Sequence, residues 1–159
     1  MTTGEIIGEC GETRTEDDLK NFIARVINEN KGYKKYHFVG DQLITHKSES
    51  LVRLVAELCQ NTEEFGIKGK TGVLASMQTR EAFLSTPDKK VVFHYTPKHV
   101  SWMNQIEVWF GMLAKKVITR GNFKSTEELK EKITSFIDYF NKTMAKPFKW
   151  TYQGKVMVV

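Results

Sequence analysis

The stretch Tyr36-His37-Phe38-Val39-Gly40-Asp41 decides how this chain of 159 residues is read. An aromatic and β-branched run closed by glycine and an acid predicts a buried strand whose carboxyl end delivers Asp41. Just before it, TEDDLKNFIARVINENKG (residues 15–32) predicts a helix. Thr15 is placed to cap it, acids fill its first turn, Leu19, Phe22, Ile23, Val26 and Ile27 recur at helical spacing, and Gly32 stops it. Further upstream, Gly4-Glu5-Ile6-Ile7-Gly8 reads as the end of a strand entering a turn. Downstream, Ser48 to Leu58 predicts a second helix with Leu51, Leu54, Val55 and Leu58 on one face. Val91-Val92-Phe93-His94-Tyr95 predicts another strand, closed by Thr96-Pro97. Between these, EFGIKGKTG (64–72) is loop-like and VLASMQTREAFL (73–84) suits a short helix. A long helix is expected from Ser101, with Trp102, Ile106, Trp109, Phe110, Leu113 and Val117 on its buried side. A last one starts at the capping box Ser125-Thr126-Glu127-Glu128 and carries Leu129, Ile133, Phe136, Ile137 and Phe140. Strands alternating with helices in this order predict an α/β layer architecture with a largely parallel sheet.

Composition narrows the function classes. With 40% apolar residues the chain can bury one sizeable core, and two full domains are not expected. No apolar run approaches the roughly 20 residues of a membrane span, and the start lacks a basic-then-apolar signal layout, so a cytoplasmic location is the default. Cys10 and Cys59 have neither zinc-ligand spacing nor the number for a disulfide scaffold, and read as small apolar residues. From Lys98 onward there are 11 basic and 5 acidic residues, against 13 and 14 before it, so the whole formal charge of +5 comes from the second part. An anionic partner such as nucleic acid fits that asymmetry.

In open α/β sheets functional groups gather at the carboxyl ends of strands, and Asp41 stands at such an end. Its polar neighbours Gln42, Thr45 and His46 bring the chain to the surface, where a carboxylate can meet a cation. At about 100° per residue from a stripe centred on Ile106, Glu107 lies on the flank of the apolar face and Asn104 about 160° round. If the two strand ends are neighbours, Asp41 and Glu107 can share a divalent cation, hard oxygen donors being suited to Mg²⁺. Spacing alone leaves the ordinary alternatives open: Asp41 as a turn residue, Glu107 as a solvated charge, His46 and His99 as hydrogen-bonding residues, Trp102, Trp109 and Phe110 as core. Gly69-Lys70-Thr71 resembles the end of a phosphate-binding loop, but Glu64 occupies the position where that motif needs glycine.

The wording of two segments goes further. HYTPKHVSWMNQIEVWFGMLAKKVITRGNFKSTEELKEKITSFIDYFNKTMAKPFKWTYQGK (94–155) resembles the C-terminal half of the catalytic domain of mariner-related bacterial insertion-sequence transposases, and HFVGDQLITHKSESLV (37–52) resembles the same family's second-aspartate segment. The resemblance implies a DDE endonuclease and strand transferase with an RNase H-like fold, a mixed sheet flanked by helices, in which three carboxylates hold two Mg²⁺ ions, with Mn²⁺ as a substitute. Asp41 matches the second aspartate and Glu107 the closing glutamate. His46 matches the histidine of the Asp-Asn/Gln-x-x-x-His segment, and His99, Trp102, Asn104 and Gln105 match positions of the His-x-Ser-Trp-x-Asn-Gln-x-Glu signature. Implied partners are transposon-end and target DNA, with Lys98, Lys115, Lys116 and Arg120 as candidate backbone contacts, a possible homodimer, and a nucleoid-associated location when bound.

The chain departs from the family pattern in ways that set further expectations. No aspartate precedes Asp17, and Asp17 and Asp18 sit at a helix start, so the first catalytic aspartate is expected to be missing. The element-recognising helix-turn-helix region has no counterpart either. Residues 1–159 are therefore expected to be one N-terminally truncated DDE domain, complemented in one version by a separate upstream fragment. Sixty-five residues separate Asp41 from Glu107, more than in many relatives, the surplus being an insertion at about 61–90. Ile44 stands where relatives often have Asn. The alternative function is a non-catalytic DNA-binding or assembly remnant.

Overall fold

The computed structural model describes residues 3–97 and 104–147. Seven regular elements follow in order: α1 (Glu16–Glu29), β1 (Tyr36–Gly40), α2 (Glu49–Leu58), α3 (Met77–Leu84), β2 (Val91–Tyr95), α4 (Gln105–Leu113) and α5 (Thr126–Thr143). Short 3-10 turns at Ile44–Lys47 and Gly72–Ala75 precede α2 and α3. The described residues form two compact units, one drawn from positions 11–97 and 104–111 and one from positions 3–10 and 112–147.

In the first unit β1 and β2 pair in parallel, Tyr36 opposite Val91 through Gly40 opposite Tyr95, which makes an α/β arrangement rich in helix. Among the described residues these two strands are the whole sheet. Alternation along the strands sends Tyr36, Phe38, Val91, Phe93 and Tyr95 to one face, where the Phe38 and Phe93 rings stack at 5.1 Å. Helical stripes cover that face. Ile23 and Ile27 of α1, Leu51, Val52, Leu54 and Val55 of α2, and Leu84 of α3 join Val91 and Phe93 in one buried cluster. The other face stays open at His37, Val39 and His94, and Val39 is 53% exposed. β1 is thus half-buried, not the buried strand expected, since His37 and Val39 stay exposed although Val92 beside His37 on that face is buried.

Local chemistry explains the helix starts. The Thr15 hydroxyl accepts from Asp18 N–H at 3.2 Å and Asp18 returns the bond to Thr15 N–H at 2.6 Å, the expected capping box. Ser48 accepts from Leu51 N–H at the start of α2. Residues 73–75 form a 3-10 turn where a helix was expected, and α3 begins only at Met77, because the Ser76 and Thr79 side chains cap it there in a reciprocal pair. In the loop before it, Gly66 has φ +81°, and a Cβ there would lie 2.2 Å from the Thr71 carbonyl oxygen.

The second unit corrects two expectations. Gly4–Gly8 is not a strand: its backbone is held by a side chain instead, Asn141 Oδ1 accepting from Ile6 N–H at 2.8 Å and Asn141 Nδ2 donating to Ile6 O at 2.9 Å. The α5 capping box is half-formed, since Ser125 accepts from Glu128 N–H at 3.2 Å whereas Glu128 accepts from Lys124 N–H at 2.9 Å. Along the helix after Glu107, regular α-structure gives way to a π-helical segment at Ala114–Ile118. Trp109 and Leu113 are buried as expected, but Phe110 is 51% exposed. Phe110 follows Trp109 by about 100°, which carries it off the buried stripe.

Candidate active site

Parallel pairing puts the carboxyl ends of β1 and β2 side by side, with Gly40 opposite Tyr95 and Thr96 N–H donating to Gly40 O at 2.9 Å. The neighbouring strand ends that a shared site requires are therefore present. Asp41 is the first residue beyond β1. Its Oδ1 accepts from Leu43 N–H at 2.9 Å, closing a tight Asx turn, and faces His46 Nδ1 at 2.8 Å. His46 is the histidine singled out from the sequence, and its pairing with Asp41 is the side-chain contact found among the described candidate residues. Gly40 makes it sterically possible: a Cβ at that position would lie 3.2 Å from His46 Nδ1.

The chain surfaces directly after Asp41 as expected, Leu43 being 42% and Ile44 67% exposed, but it turns inward again within one short turn. Lys47 and Ser48 are buried, and Lys47 is only 6% exposed. A buried ammonium must be paired and hydrogen-bonded. Lys47 Nζ lies 2.5 Å from Glu81 Oε2, donates to Gln42 Oε1, and sits 4.8 Å from the centre of the Tyr95 ring. Gln42 Nε2 in turn donates to Thr96 O at 2.6 Å, tying the turn after β1 to the end of β2. Arg80 is also buried and spends its donors on backbone, Nε on Lys47 O at 2.6 Å and one terminal nitrogen on Leu74 O at 3.0 Å. Tyr95 donates its hydroxyl to His46 O at 2.7 Å. Burial, and then the Glu81 charge, push the Tyr95 phenol well above its ordinary value, so it stays a donor at any physiological pH.

Lys47, Arg80, Glu81 and Tyr95 were not singled out as site residues, and Gln42 entered only as a polar neighbour of Asp41 and as the second position of the Asp-Asn/Gln-x-x-x-His segment. A signal was present nevertheless. Lys47 lies four residues before Leu51 and Arg80 four before Leu84, so each cation is in phase with the buried face of the helix it precedes or occupies. A cation on an apolar stripe needs a partner, and here the partners converge on the residues following Asp41.

Glu107 lies in the first turn of α4, exposed, with its N–H donating to Asn104 O at 3.0 Å. Asn104 is buried and Gln105 half-buried. Lys115, Lys116 and Arg120 are all exposed, in and just after the π-helical segment of the second unit. Lys98, His99 and Trp102 lie outside the described residues. Asp17 accepts from Ser50 Oγ and pairs with Lys20, and Asp18 caps α1, so both carboxylates have structural partners.

Among the described residues no group of three or more histidine, cysteine or acidic side chains is gathered for a metal ion. What is present suits one as a partial ligand set. The Asp41 side chain is 30% exposed, and no hydrogen bond among the described residues takes its Oδ2, leaving a hard oxygen donor fixed at a strand end. Mg²⁺ is commonly held by one or two protein carboxylates, with water and substrate phosphate completing the shell. No helix among the described residues is long and apolar enough to cross a membrane.

No curated protein and no solved structure matches the chain. The family model described as DDE superfamily endonuclease matches residues 1–130, spanning both strands, the Asp41–His46 pair and Glu107. A match over most of the chain, with an acid at the strand end and another in the first turn of α4, places this protein in the DDE superfamily endonuclease family.

Proposed function

We propose that this chain is a catalytic part of a DNA transposase of the insertion-sequence, mariner-related kind, with an RNase H-like fold, acting by Mg²⁺-dependent strand cleavage and transfer at element ends, in the cytoplasm on nucleoid DNA. The observation that carries the proposal is the parallel pairing that brings the ends of β1 and β2 together, with Asp41 directly beyond one and α4 starting ten residues beyond the other. Asp41, through Oδ2, and Glu107 would hold the metal, with Mn²⁺ able to replace Mg²⁺. When bound, the ion polarises a DNA phosphate and acidifies the attacking water or 3′-hydroxyl. The protein's part is positional. The ring Nδ1 of His46 and the Leu43 N–H hold Asp41 Oδ1, which fixes the rotamer and leaves Oδ2 open for a cation. Glu107 lies in the first turn of α4 and is exposed, so its carboxylate is open to a ligand. The third acid of the set is assigned to a segment outside residues 1–159, in the same polypeptide or in a separate fragment, and a second copy of the chain is a further candidate partner.

Purified protein incubated with Mn²⁺ or Mg²⁺ and element-end DNA tests this. Weak nicking is expected, rising when a fragment carrying the preceding strand and its acid is added, and lost in Asp41→Asn and Glu107→Gln. Robust nicking that survives Asp41→Asn sinks the assignment. The exposure of Lys115, Lys116 and Arg120 favours a second reading, a non-catalytic DNA-binding remnant. DNA affinity that falls steeply with salt, needs no metal and ignores Glu107→Gln would select that reading.

A further inference from the structure

We infer that α3, within the 61–90 insertion, brackets the Asp41 turn from behind, with Lys47, Gln42, Arg80 and Glu81 serving as positioning residues for the metal-holding carboxylate. This rests on the proposed function of Asp41. The observations are the endpoints of the buried and half-buried polar contacts around Lys47, which is buried, and Glu81, whose side chain is 37% exposed. Arg80 of α3 grips the Lys47 carbonyl, and Glu81 of α3 pairs with the Lys47 ammonium. Lys47 passes the restraint to Gln42, next to Asp41, and Gln42 reaches across to the Thr96 carbonyl beyond β2. Tyr95 holds the carbonyl of His46, whose ring faces Asp41. Apart from the anchor of Arg80 on Leu74 and the Lys47 bond to Glu81, the hydrogen bonds of this network end on residues 42, 46, 47 and 96, just beyond the strands.

Stability alone does not call for such a device. A buried ion pair is commonly matched or surpassed in stability by well-packed apolar side chains of the same volume. What apolar side chains cannot do is fix the direction of a polar turn. Outer hydrogen bonds of this kind orient metal-binding side chains, and their loss typically weakens metal binding by about 10- to 100-fold.

The experiment uses the whole chain and its double variant Lys47→Met with Glu81→Leu, which keeps volume and removes both charges. Thermal melting, residue-resolved amide exchange and Mn²⁺ binding by water-proton relaxation are read on each. The expected result is a melt near that of the parent, at least tenfold faster exchange at Leu43, His46 and Thr96, unchanged exchange at Val52 and Phe93, and Mn²⁺ binding weakened about tenfold. Unchanged exchange at Leu43 and His46, or a uniform rise that includes Val52 and Phe93, overturns the inference. Tyr95→Phe, which removes one hydroxyl and no charge, gives the same local readout should the double variant fail to fold. Asp41→Asn is the separate control. Mn²⁺ binding by the parent that this change leaves intact overturns the metal role of Asp41, and the positioning role with it.

Discussion

Replacing Gly40 by alanine sets one atom against the contact that orients the candidate carboxylate. The added Cβ would stand 3.2 Å from His46 Nδ1, 3.6 Å from its Cγ and 3.8 Å from its Cβ. Ordinary contact between such atoms is about 3.5–4.0 Å, so the ring must move by a few tenths of an ångström. It is not free to do so without loss: Nδ1 is bonded to Asp41 Oδ1 at 2.8 Å, and the residue's carbonyl is held by Tyr95. Two terms set the stability change. Removing glycine's freedom in the unfolded chain stabilises by about 0.4–1 kcal/mol. Straining a part-exposed pair costs about 0.2–1 kcal/mol. The two nearly cancel, and the melting temperature should stay within about 4 °C of the parent. Function should not cancel, because a displaced His46 no longer fixes Oδ1, and Mn²⁺ affinity should fall about tenfold or more. Valine at the same position adds bulk to the same clash and should lower affinity further. The assay pairs a thermal melt with Mn²⁺ titration followed by water-proton relaxation. Parent-like affinity in both Gly40→Ala and Gly40→Val would refute the reasoning. A melt lowered by more than about 10 °C would refute the energy balance.

Leu74→Ala should destabilise the protein by about 2–5 kcal/mol in urea unfolding, since Leu74 is fully buried, whereas Met77→Ala, at a 41% exposed site three residues on, should stay within about 0.5 kcal/mol. Asn141→Leu keeps the volume but removes both arms of the fork on Ile6, so the Ile6 amide should lose most of its exchange protection. Asp18 is held below its ordinary carboxylate value of 3.8, first by Thr15 N–H and then by the Thr13 and Thr15 hydroxyls. Because the folded value is the lower one, this stabilisation is present above 3.8 and is lost as pH falls through the folded value. A stability profile of Asp18→Asn should therefore lack that acid-side component, and an unchanged slope below about pH 4 would count against the cap.

The elements that were legible in the sequence are those whose stabilisation is local. Thr15 and Ser48 mark the starts of α1 and α2 because the cap and the first apolar turn lie within a few residues of each other. β1 and β2 are marked by their aromatic and β-branched runs, and Asp41 by its place at a strand end. What sequence could not supply were contacts between distant residues. Nothing near Ile6 announces that its backbone partner is Asn141, so an apolar pair between glycines reads as a strand end. Nothing near Val39 says that this apolar side chain stays 53% exposed. Lys47 and Arg80 look like ordinary solvated cations until Glu81, Gln42 and the carbonyls of Lys47 and Leu74 are seen around them.

The 65-residue spacing between Asp41 and Glu107 takes on a different meaning once the buried side chains are located. An insertion that merely lengthened a surface loop would contribute little to the core and tolerate deletion, since loop closure grows only slowly with length. Here Leu74 and Leu84, both at 0% exposure, pack in the same cluster as Leu51, Val55 and Val91, and Phe65 and Phe83 meet edge to face at 5.3 Å beside them. Lys68 extends the same segment to the start of α1, pairing with Glu16 at 2.8 Å. The segment therefore does two things at once. Its apolar residues complete the layer over the strands, and its polar residues, Arg80 and Glu81, reach the turn that carries Asp41. Deleting residues 61–90 would remove Leu74 and Leu84 from the core together with the bracket on that turn. The core therefore constrains the length of chain between Asp41 and Glu107, because Leu74 and Leu84 must reach the cluster that covers the strands.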